Sequence, residues 1–273
     1  MEKDSEKDSQ KDSDKDSRWS PDGWSARGRI GIVVPHADVG PEAEFGAMAR
    51  GAVSIHGARL NFSAMRAGGE MDEKLPHAPI ESFTSPPYID DTVESLATSP
   101  LNAIGLAFTS SAYVHGPQAE RALIKRLEPR TRAIPIVSTC LAAERALRAL
   151  DVRKMALVNP SWFDADIDGQ GADYFTEAGF SVVHHAPCGL PSGQKYVTPQ
   201  AMYDWVRGVI AKSRPSAVFV GGNGQRAVGV IAAIERDTGV AMLTANQVLF
   251  WNALRLSDIA VDVAGYGRLF KLA

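Results

Sequence analysis

The fold is decided by a short apolar run, RIGIVVP at residues 29–35, which has the length and composition of a buried strand. Stretches with helical spacing of apolar residues occur farther along the chain, for example at 116–128, 140–150 and 199–213. They separate further apolar runs of the same kind, which read ARLNFSAMR (58–66), NAIGLAFTSS (102–111), AIPIVST (133–139), KMALVNP (154–160), FSVVHHAP (180–187), SAVFVGGNG (216–224) and VAMLTAN (240–246). Short strands that alternate with helices are typical of parallel β-α units, so we predict an α/β fold.

The runs form two sets of four that repeat each other. The first strand of each set ends in proline, and the third ends in a small polar turn, at 109–111 and at 222–224. We therefore predict two pseudo-symmetric Rossmann-like lobes, each a three-layer α/β/α unit around a four-stranded parallel sheet. The predicted first lobe is 27–139, completed by a C-terminal helix within 247–273, and the second is 140–246. Because ligands bind beyond the carboxyl ends of parallel strands, we place the active site in the cleft between the lobes.

The N-terminal segment 2–17 consists of a four-residue repeat, EKDS-EKDS-QKDS-DKDS. It has no apolar side chain to bury, so we predict that residues 1–26 are disordered. The repeat holds four Lys and seven Asp or Glu, which leaves 29 − 4 = 25 basic and 32 − 7 = 25 acidic residues elsewhere. A neutral remainder favours neither nucleic acid nor an anionic membrane as a partner.

The composition also bears on the compartment. The two cysteines, Cys140 and Cys188, are too few for a disulfide framework, which favours a reducing environment. We identify no signal peptide and no apolar run of about 18 residues that would span a membrane. These features together predict a cytoplasmic protein.

Polar side chains follow the first strand of each half. After Pro35 come Asp38 and Glu42, and a helix is predicted to begin near Pro41. Asp38 and Glu42 either contact a substrate or stabilise the start of that helix. At the matching place in the second half, Trp162 either forms a wall of the cleft or packs between the lobes.

The two small polar turns are the best candidates for binding an anion. Thr109-Ser110-Ser111 offers three hydroxyls and their backbone N–H groups, and Tyr113 adds a further donor. Gly222-Asn223-Gly224 lets backbone N–H groups approach a ligand closely. Residues 222–227 also match G-x-G-x-x-A, but they do not occupy a first β-α turn and no acid ends the next strand, which argues against a dinucleotide site. Asn246, at the last strand-to-helix junction, either binds substrate or caps the helix.

A metal site is not expected. His184 and His185 are adjacent in a strand, and adjacent strand residues point to opposite faces of the sheet. The sequence also has no G-x-S-x-G motif of a serine hydrolase.

Taken in order, these motifs resemble the maleate isomerase and arylmalonate decarboxylase branch of the aspartate/glutamate racemase superfamily. Pro35-His36-Ala37-Asp38 with Glu42 is similar to the P-S-S-N-x-x-x-E opening of maleate isomerases, and Thr109-Ser110-Ser111 resembles that family's carboxylate-binding turn. The segment Ala245-Asn246-Gln247, with Trp251 and Leu254-Arg255, is similar to its S-N-Q-x-x-x-W-x-x-L-R element. The similarity extends from about residue 28 to residue 273.

The resemblance implies a cofactor-independent enzyme that binds a carboxylate between its lobes and uses one or two cysteines at the ends of the third strands. Phe108 and Gly222 stand at those two positions in this sequence, and neither can transfer a proton or attack carbon. Trp162 falls near the family's cleft tyrosine. Cys140 and Cys188 lie at other strand ends, and we interpret them as structural thiols.

We therefore predict an isomerase or lyase that acts on a small (di)carboxylic acid without cofactor or metal. Asp38, Glu42 and Tyr113 are the candidate catalytic residues, and Cys140 is a further candidate proton carrier. The predicted substrate-binding residues are Pro35, Thr109, Ser110, Trp162, Gly222, Asn223 and Asn246. Two alternatives stay open: a non-catalytic carboxylate binder or regulator that kept the cleft, and a nucleotide-dependent enzyme built on the Gly222 turn. The expected partner is a small carboxylate, and the resemblance suggests a homodimer or higher homo-oligomer.

Overall fold

The computed structural model describes residues 22–36, 38–63, 65–66 and 70–272. The KDS repeat at 2–17, for which we predicted disorder, lies outside these residues. Within the described part of the chain, no helix is both long enough and apolar enough to cross a lipid bilayer.

Two four-stranded parallel sheets form the centre of the molecule. The first has the order β2-β1-β3-β4 and consists of β1 (Gly28–Pro35), β2 (Val53–Leu60), β3 (Ala103–Leu106) and β4 (Ile136–Ser138). The second has the order β6-β5-β7-β8 and consists of β5 (Lys154–Asn159), β6 (Ser181–Pro187), β7 (Ala217–Val220) and β8 (Ala241–Thr244). The two orders are the same, so the predicted internal repeat and the two-lobed α/β fold are confirmed.

Helices flank both sheets, and their bounds agree with most of the predicted segments. They are α1 (Gly40–Ala49), α2 (His77–Ser82), α3 (Tyr88–Leu96), α4 (Ser110–Leu127), α5 (Thr139–Ala149), α6 (Ala165–Glu177), α7 (Pro199–Ser213), α8 (Ile231–Thr238) and α9 (Ala245–Leu256). A two-stranded hairpin pairs Met65–Arg66 with Glu70–Met71. As predicted, α1 begins with proline in its first turn.

The second strand of the first lobe was predicted in the wrong place. The apolar run at 58–66 suggested a strand there, but β2 is Val53–Leu60 and the chain leaves the sheet after Leu60. The strand lies at the edge of the sheet and is only partly buried, so it tolerates His56, Gly57 and Arg59. Its low hydrophobicity hid it from a search for buried strands.

The last helix crosses from the second sheet to the first. It starts directly after β8, where Thr244 and Gln247 form a capping box. It then packs so closely on β3 that a β-carbon at Gly105 would lie 3.1 Å from Leu249. The ring of Phe250 contacts Phe45 of α1, with ring centroids 5.1 Å apart. The predicted lobe boundaries at 139 and 247 remain a prediction.

A buried acidic cluster connects three helices. The hydroxyl of Tyr174 in α6 is hydrogen-bonded to Glu120 of α4 and lies 3.0 Å from Oε1 of Glu144 in α5. Arg121 and Arg148 pair with Glu144 at 2.8 and 3.0 Å. The phenol of Tyr174 has one proton but two carboxyl neighbours, so one of these two hydrogen bonds needs a proton that belongs to a carboxyl group. Burial, with nearby Glu144, raises the pKa of Glu120 to about 7, so Glu120 carries that proton.

This cluster makes stability depend on pH. The pKa of Glu120 is raised from 4.5 in the unfolded chain to about 7 in the folded protein. The contribution of Glu120 to the free energy of unfolding is therefore most favourable below about pH 4.5 and is lost as the pH rises through 7. Glu120→Gln keeps a donor towards Tyr174 and removes this loss. We expect the variant to gain on the order of 3 kcal/mol relative to the wild type between pH 4.5 and 8.

Chemical denaturation at a series of pH values measures this difference. Glu128→Gln, an exposed substitution just after α4, is the control and should follow the wild type. A Glu120→Gln curve parallel to the wild type would contradict the assignment of the proton to Glu120.

Candidate active site between the lobes

The two small polar turns meet where the carboxyl ends of the two sheets approach each other. The backbone N–H of Gly222 donates to Oγ1 of Thr109 at 3.2 Å, which joins the turn after β7 directly to the turn after β3. Thr109 is the N-cap of α4, so the N–H groups of Ser110 and Ser111 lie in the first turn and have no carbonyl partner within the helix.

A small cavity of about 50 Å³ lies at this junction. The first lobe lines it with Pro35, Asp38, Phe62, Leu75, Ala107, Phe108, Thr109 and Ser110, and the second with Trp162, Phe163, Gln194, Gly222, Asn223 and Gly224. The cavity therefore brings together seven predicted site residues: Pro35, Asp38, Thr109, Ser110, Trp162, Gly222 and Asn223. Its volume accommodates only a few water molecules.

Asp38 is the ionisable side chain of this central cavity. Its Oδ1 accepts hydrogen bonds from the backbone N–H of Gly40 at 2.9 Å and from Nε2 of Gln194 at 2.6 Å. Burial outweighs these two bonds and raises the pKa of Asp38 to about 6, with Arg59 lowering it and Glu42 raising it further. A carboxyl group with such a pKa exchanges protons near neutral pH.

Sequence reasoning missed Gln194. It comes from the segment between β6 and α7, whose glycines and serines carry no motif that would have indicated a site residue. Gln194 and Gly224 also line a second, mostly apolar cavity of about 800 Å³ beside α1. The hydrogen bond between Gln194 and Asp38 therefore separates the central cavity from a much larger space.

Asn223 and Asn246 form part of a buried network rather than offering free side chains to a ligand. Nδ2 of Asn223 donates to Oδ1 of Asn246 at 2.9 Å, and Asn246 donates to the Asn223 carbonyl at 2.8 Å. Asn246 also donates to Glu44 at 2.8 Å. Thr244, not Asn246, caps α9. Asn223 thus lines the cavity with its side chain already hydrogen-bonded, and Asn246 holds Asn223 in place without lining the cavity itself.

Glu42 and Tyr113, two of the predicted catalytic residues, do not line the central cavity. Glu42 is partly exposed on α1 and pairs with Arg59 at 2.6 Å. Tyr113 is buried, and its hydroxyl lies against Gly221 without a well-formed hydrogen bond. Burial, with Cys140 nearby, raises the pKa of Tyr113 well above its usual value, so it does not ionise readily. Among the predicted proton carriers, the structure brings only Asp38 to the cavity.

Phe108 and Gly222 occupy the positions that the sequence resemblance assigns to cysteines. Phe108 lines the central cavity and stacks edge-on against Phe83, with centroids 4.7 Å apart. Gly222 has φ +76°, and a β-carbon there would lie 2.2 Å from Cγ of Pro160. Glycine is therefore required at position 222 by both the backbone and its neighbour.

The two actual thiols lie elsewhere. Cys140 and Cys188 are buried, and neither lines the central cavity. Burial raises the pKa of both thiols, with Glu120 and Glu144 adding to the effect at Cys140. A structural role for these two cysteines stays a prediction.

A group with metal-ligating chemistry lies at the edge of the lobe interface. His77, Asp164 and Asp166 each have a ligand atom within 4.8 Å of the others. Asp164, however, already caps α6 and pairs with His77 at 2.9 Å. None of the three lines the central cavity.

The sequence and the fold are similar to those of known proteins. The family model described as arylmalonate decarboxylase matches residues 30–270. The chain is 27% identical over 255 residues to the arylmalonate decarboxylase of Bordetella bronchiseptica, covering 88% of this chain and 95% of that protein. It is 23% identical over 251 residues to the maleate isomerase of Pseudomonas putida, covering 89% and 97%.

A solved structure shares the fold. It is a cysteine-to-serine variant of the Nocardia farcinica maleate cis-trans isomerase with a covalently bound succinylcysteine intermediate. The TM-score is 0.76 at 20% identity, and the alignment covers 90% of this chain and 99% of that chain.

The environment of Gly222 yields a stability prediction. Gly222→Ala and Gly222→Cys place a side chain on a left-handed backbone and against Pro160, and should lower the free energy of unfolding by about 2 kcal/mol or more. Gly229→Ala is the control, because a β-carbon at Gly229 meets no atom within 4 Å. Denaturant titration of the three variants tests this, and a Gly222→Cys variant as stable as the wild type would contradict it.

Proposed function

The chain belongs to the arylmalonate decarboxylase family, in the branch of the aspartate/glutamate racemase superfamily that includes maleate isomerases, and we propose that it is a cofactor-independent isomerase or lyase acting on a small carboxylic acid. The observation that carries this proposal is the central cavity, where the anion-binding turns of both lobes meet beside Asp38. The homo-oligomer and the cytoplasmic location expected from the sequence stay predictions.

The carboxylate binds between the two turns. The hydroxyls of Thr109 and Ser110 and the N–H groups of the first turn of α4 approach it from one lobe, and the backbone of Gly222–Gly224 approaches from the other. Donors fixed in a water-poor cavity stabilise negative charge that develops on the carboxylate during the reaction. Such a site suits an enediolate, the species formed when the α-carbon of a carboxylate loses CO₂ or a proton and the electron pair stays behind.

Asp38 carries the proton. In a decarboxylation, the bond between the α-carbon and one carboxylate breaks, CO₂ leaves, and the electron pair stays on the enediolate. The protonated Asp38 then delivers its proton to the α-carbon and takes another from solvent. A pKa of about 6 suits both halves of this cycle. No thiol lines the cavity among the described residues, so addition of a cysteine to a double bond has no nucleophile here.

A cavity of about 50 Å³ must widen to hold a small carboxylic acid. The segment before α2 reaches across to the second lobe, where Leu75 N–H donates to the Trp162 carbonyl at 2.8 Å. Lys74 donates to the carbonyls of Ser161 and Phe163 at 2.6 and 2.9 Å. These contacts and the hydrogen bond between Gln194 and Asp38 must loosen when a substrate enters.

A non-catalytic carboxylate binder is the second candidate function. It is favoured by Phe108 and Gly222, which leave the two cysteine positions of the family without a reactive group. The binder and the enzyme share the same cavity and differ in whether Asp38 transfers a proton to bound ligand.

Substitution of Asp38 tests the proposed proton transfer. With disubstituted malonates as substrates, kcat/KM should fall as the pH rises through about 6, because the protonated carboxyl is the active form. Asp38→Asn should lower kcat by about 10²- to 10⁴-fold while the protein stays folded. Initial rates by NMR, with melting curves of each variant, provide the measurement.

Glu42→Gln is the matched control, because Glu42 lies nearby but outside the cavity, and its rate should stay within about threefold of the wild type. An unchanged rate in Asp38→Asn would remove Asp38 from the mechanism. Thermal stabilisation by these carboxylates without any turnover would establish the binder instead.

A further inference from the structure

A second cavity in the first lobe, of about 280 Å³, lies on the other side of Phe108 from the central cavity. Its lining comes from the turn after β3, the first turns and the outer face of α4, the end of β4 and the link between α2 and α3. The residues that matter below are Phe108, Ser111, Ala112, Glu120, Leu123 and Ser138. Ala119 and Ala122 also line the cavity and are exposed, so it opens to solvent along α4. We call it the α4 cavity.

Two buried polar atoms of the α4 cavity make no well-formed hydrogen bond. They are Oε1 of Glu120 and Oγ of Ser138, in residues that are 3% and 2% exposed. The Ser138 side chain lies close enough to Glu120 to lower the pKa of that carboxyl group, which leaves the Ser138 oxygen free to accept from a ligand. A buried polar atom without a partner costs free energy, so these two atoms favour a ligand that satisfies them. The other oxygen of Glu120 is already bonded to Tyr174.

The carboxyl group of Glu120 holds a proton that a bound cation can replace. Its surroundings contain Tyr174 from α6, Glu144, Arg148 and Cys140 from α5, and Arg121 and Tyr113 from its own helix. When a cation binds as the proton leaves, the net charge of the cluster does not change. The exchange therefore avoids adding an uncompensated buried charge.

The cations at the rim of the cavity do not favour an anion. Arg126 is bonded to Asp90 at 2.6 Å and to the Thr84 carbonyl at 2.7 Å. His115 lies 3.3 Å from the carbonyl oxygen of Glu81. Both cationic side chains are thus engaged away from the buried end of the cavity, where Glu120 and the hydroxyls of Ser111 and Ser138 line the wall.

We propose that the α4 cavity binds a small primary alkylammonium, with its nitrogen at Glu120 and Ser138 and its alkyl chain along the apolar wall. An ammonium group has three N–H donors, and Glu120 Oε1, Ser138 Oγ and the Ser111 hydroxyl are the matching acceptors. Phe108, Ala112 and Leu123 supply the apolar wall for the chain. This proposal is independent of the chemistry proposed for the central cavity.

Calorimetric titration of the full chain with n-butylammonium tests the proposal. At pH 6, close to one proton should be released per ligand bound, seen as a dependence of the heat on the buffer's ionisation enthalpy. The affinity should rise about tenfold between pH 6 and pH 8, because Glu120 ionises in this range. n-Butanol, which has the same chain without the charge, should bind much more weakly and without proton release.

Variants distinguish binding in the α4 cavity from non-specific binding of an amine elsewhere on the protein. Glu120→Gln, expected to fold, should lose both binding and its pH dependence, whereas Glu128→Gln at the exposed end of the same helix should bind as the wild type. Ser138→Ala should weaken binding about fivefold to tenfold. Absence of binding to the wild type, equal binding by Glu120→Gln, or equal binding of n-butanol would each overturn the proposal.

Discussion

A buried carboxylate holds the two lobes in register. Glu44 of α1 accepts hydrogen bonds from the N–H groups of Ala227 and Val228 at 2.8 and 3.1 Å, and from Asn246 at 2.8 Å. Burial raises the pKa of Glu44, while these bonds oppose the rise. Three hydrogen bonds from the second half of the chain converge on this one buried carboxyl group, so the contact fixes how the second lobe sits on the first. Asn246 passes the constraint on to Asn223.

The central cavity follows from that constraint. With Asn223 held by Asn246, the turn at 222–224 faces Thr109, and the Gly222 amide reaches Oγ1 of Thr109 across the cleft. The same docking buries Asp38 between α1 and the second lobe and so raises its pKa. In our proposal, one buried contact network thus determines both the position of the carboxylate and the pH range in which Asp38 exchanges a proton with it.

The sequence predicted the two four-stranded sheets because buried parallel strands are continuous apolar runs bounded by turns. It predicted most of the cavity because strand ends such as Thr109 and Gly222 are local features. Gln194 and Glu44 were missed because each acts through contacts with residues far along the chain, which no spacing encodes. The position of β2 was predicted wrongly because an edge strand needs few apolar residues. The pairing of Glu42 with Arg59 was not predicted, because a helix position alone does not reveal it.

The central claim is that donors from both lobes close on one carboxylate. A crystal structure of the chain with a disubstituted malonate tests it most directly. The account predicts one carboxylate within hydrogen-bond distance of Thr109 or Ser110 on one side and of the 222–224 backbone on the other, with an Asp38 oxygen near the α-carbon. A ligand bound outside this cavity, or held by the turn of one lobe alone, would contradict it.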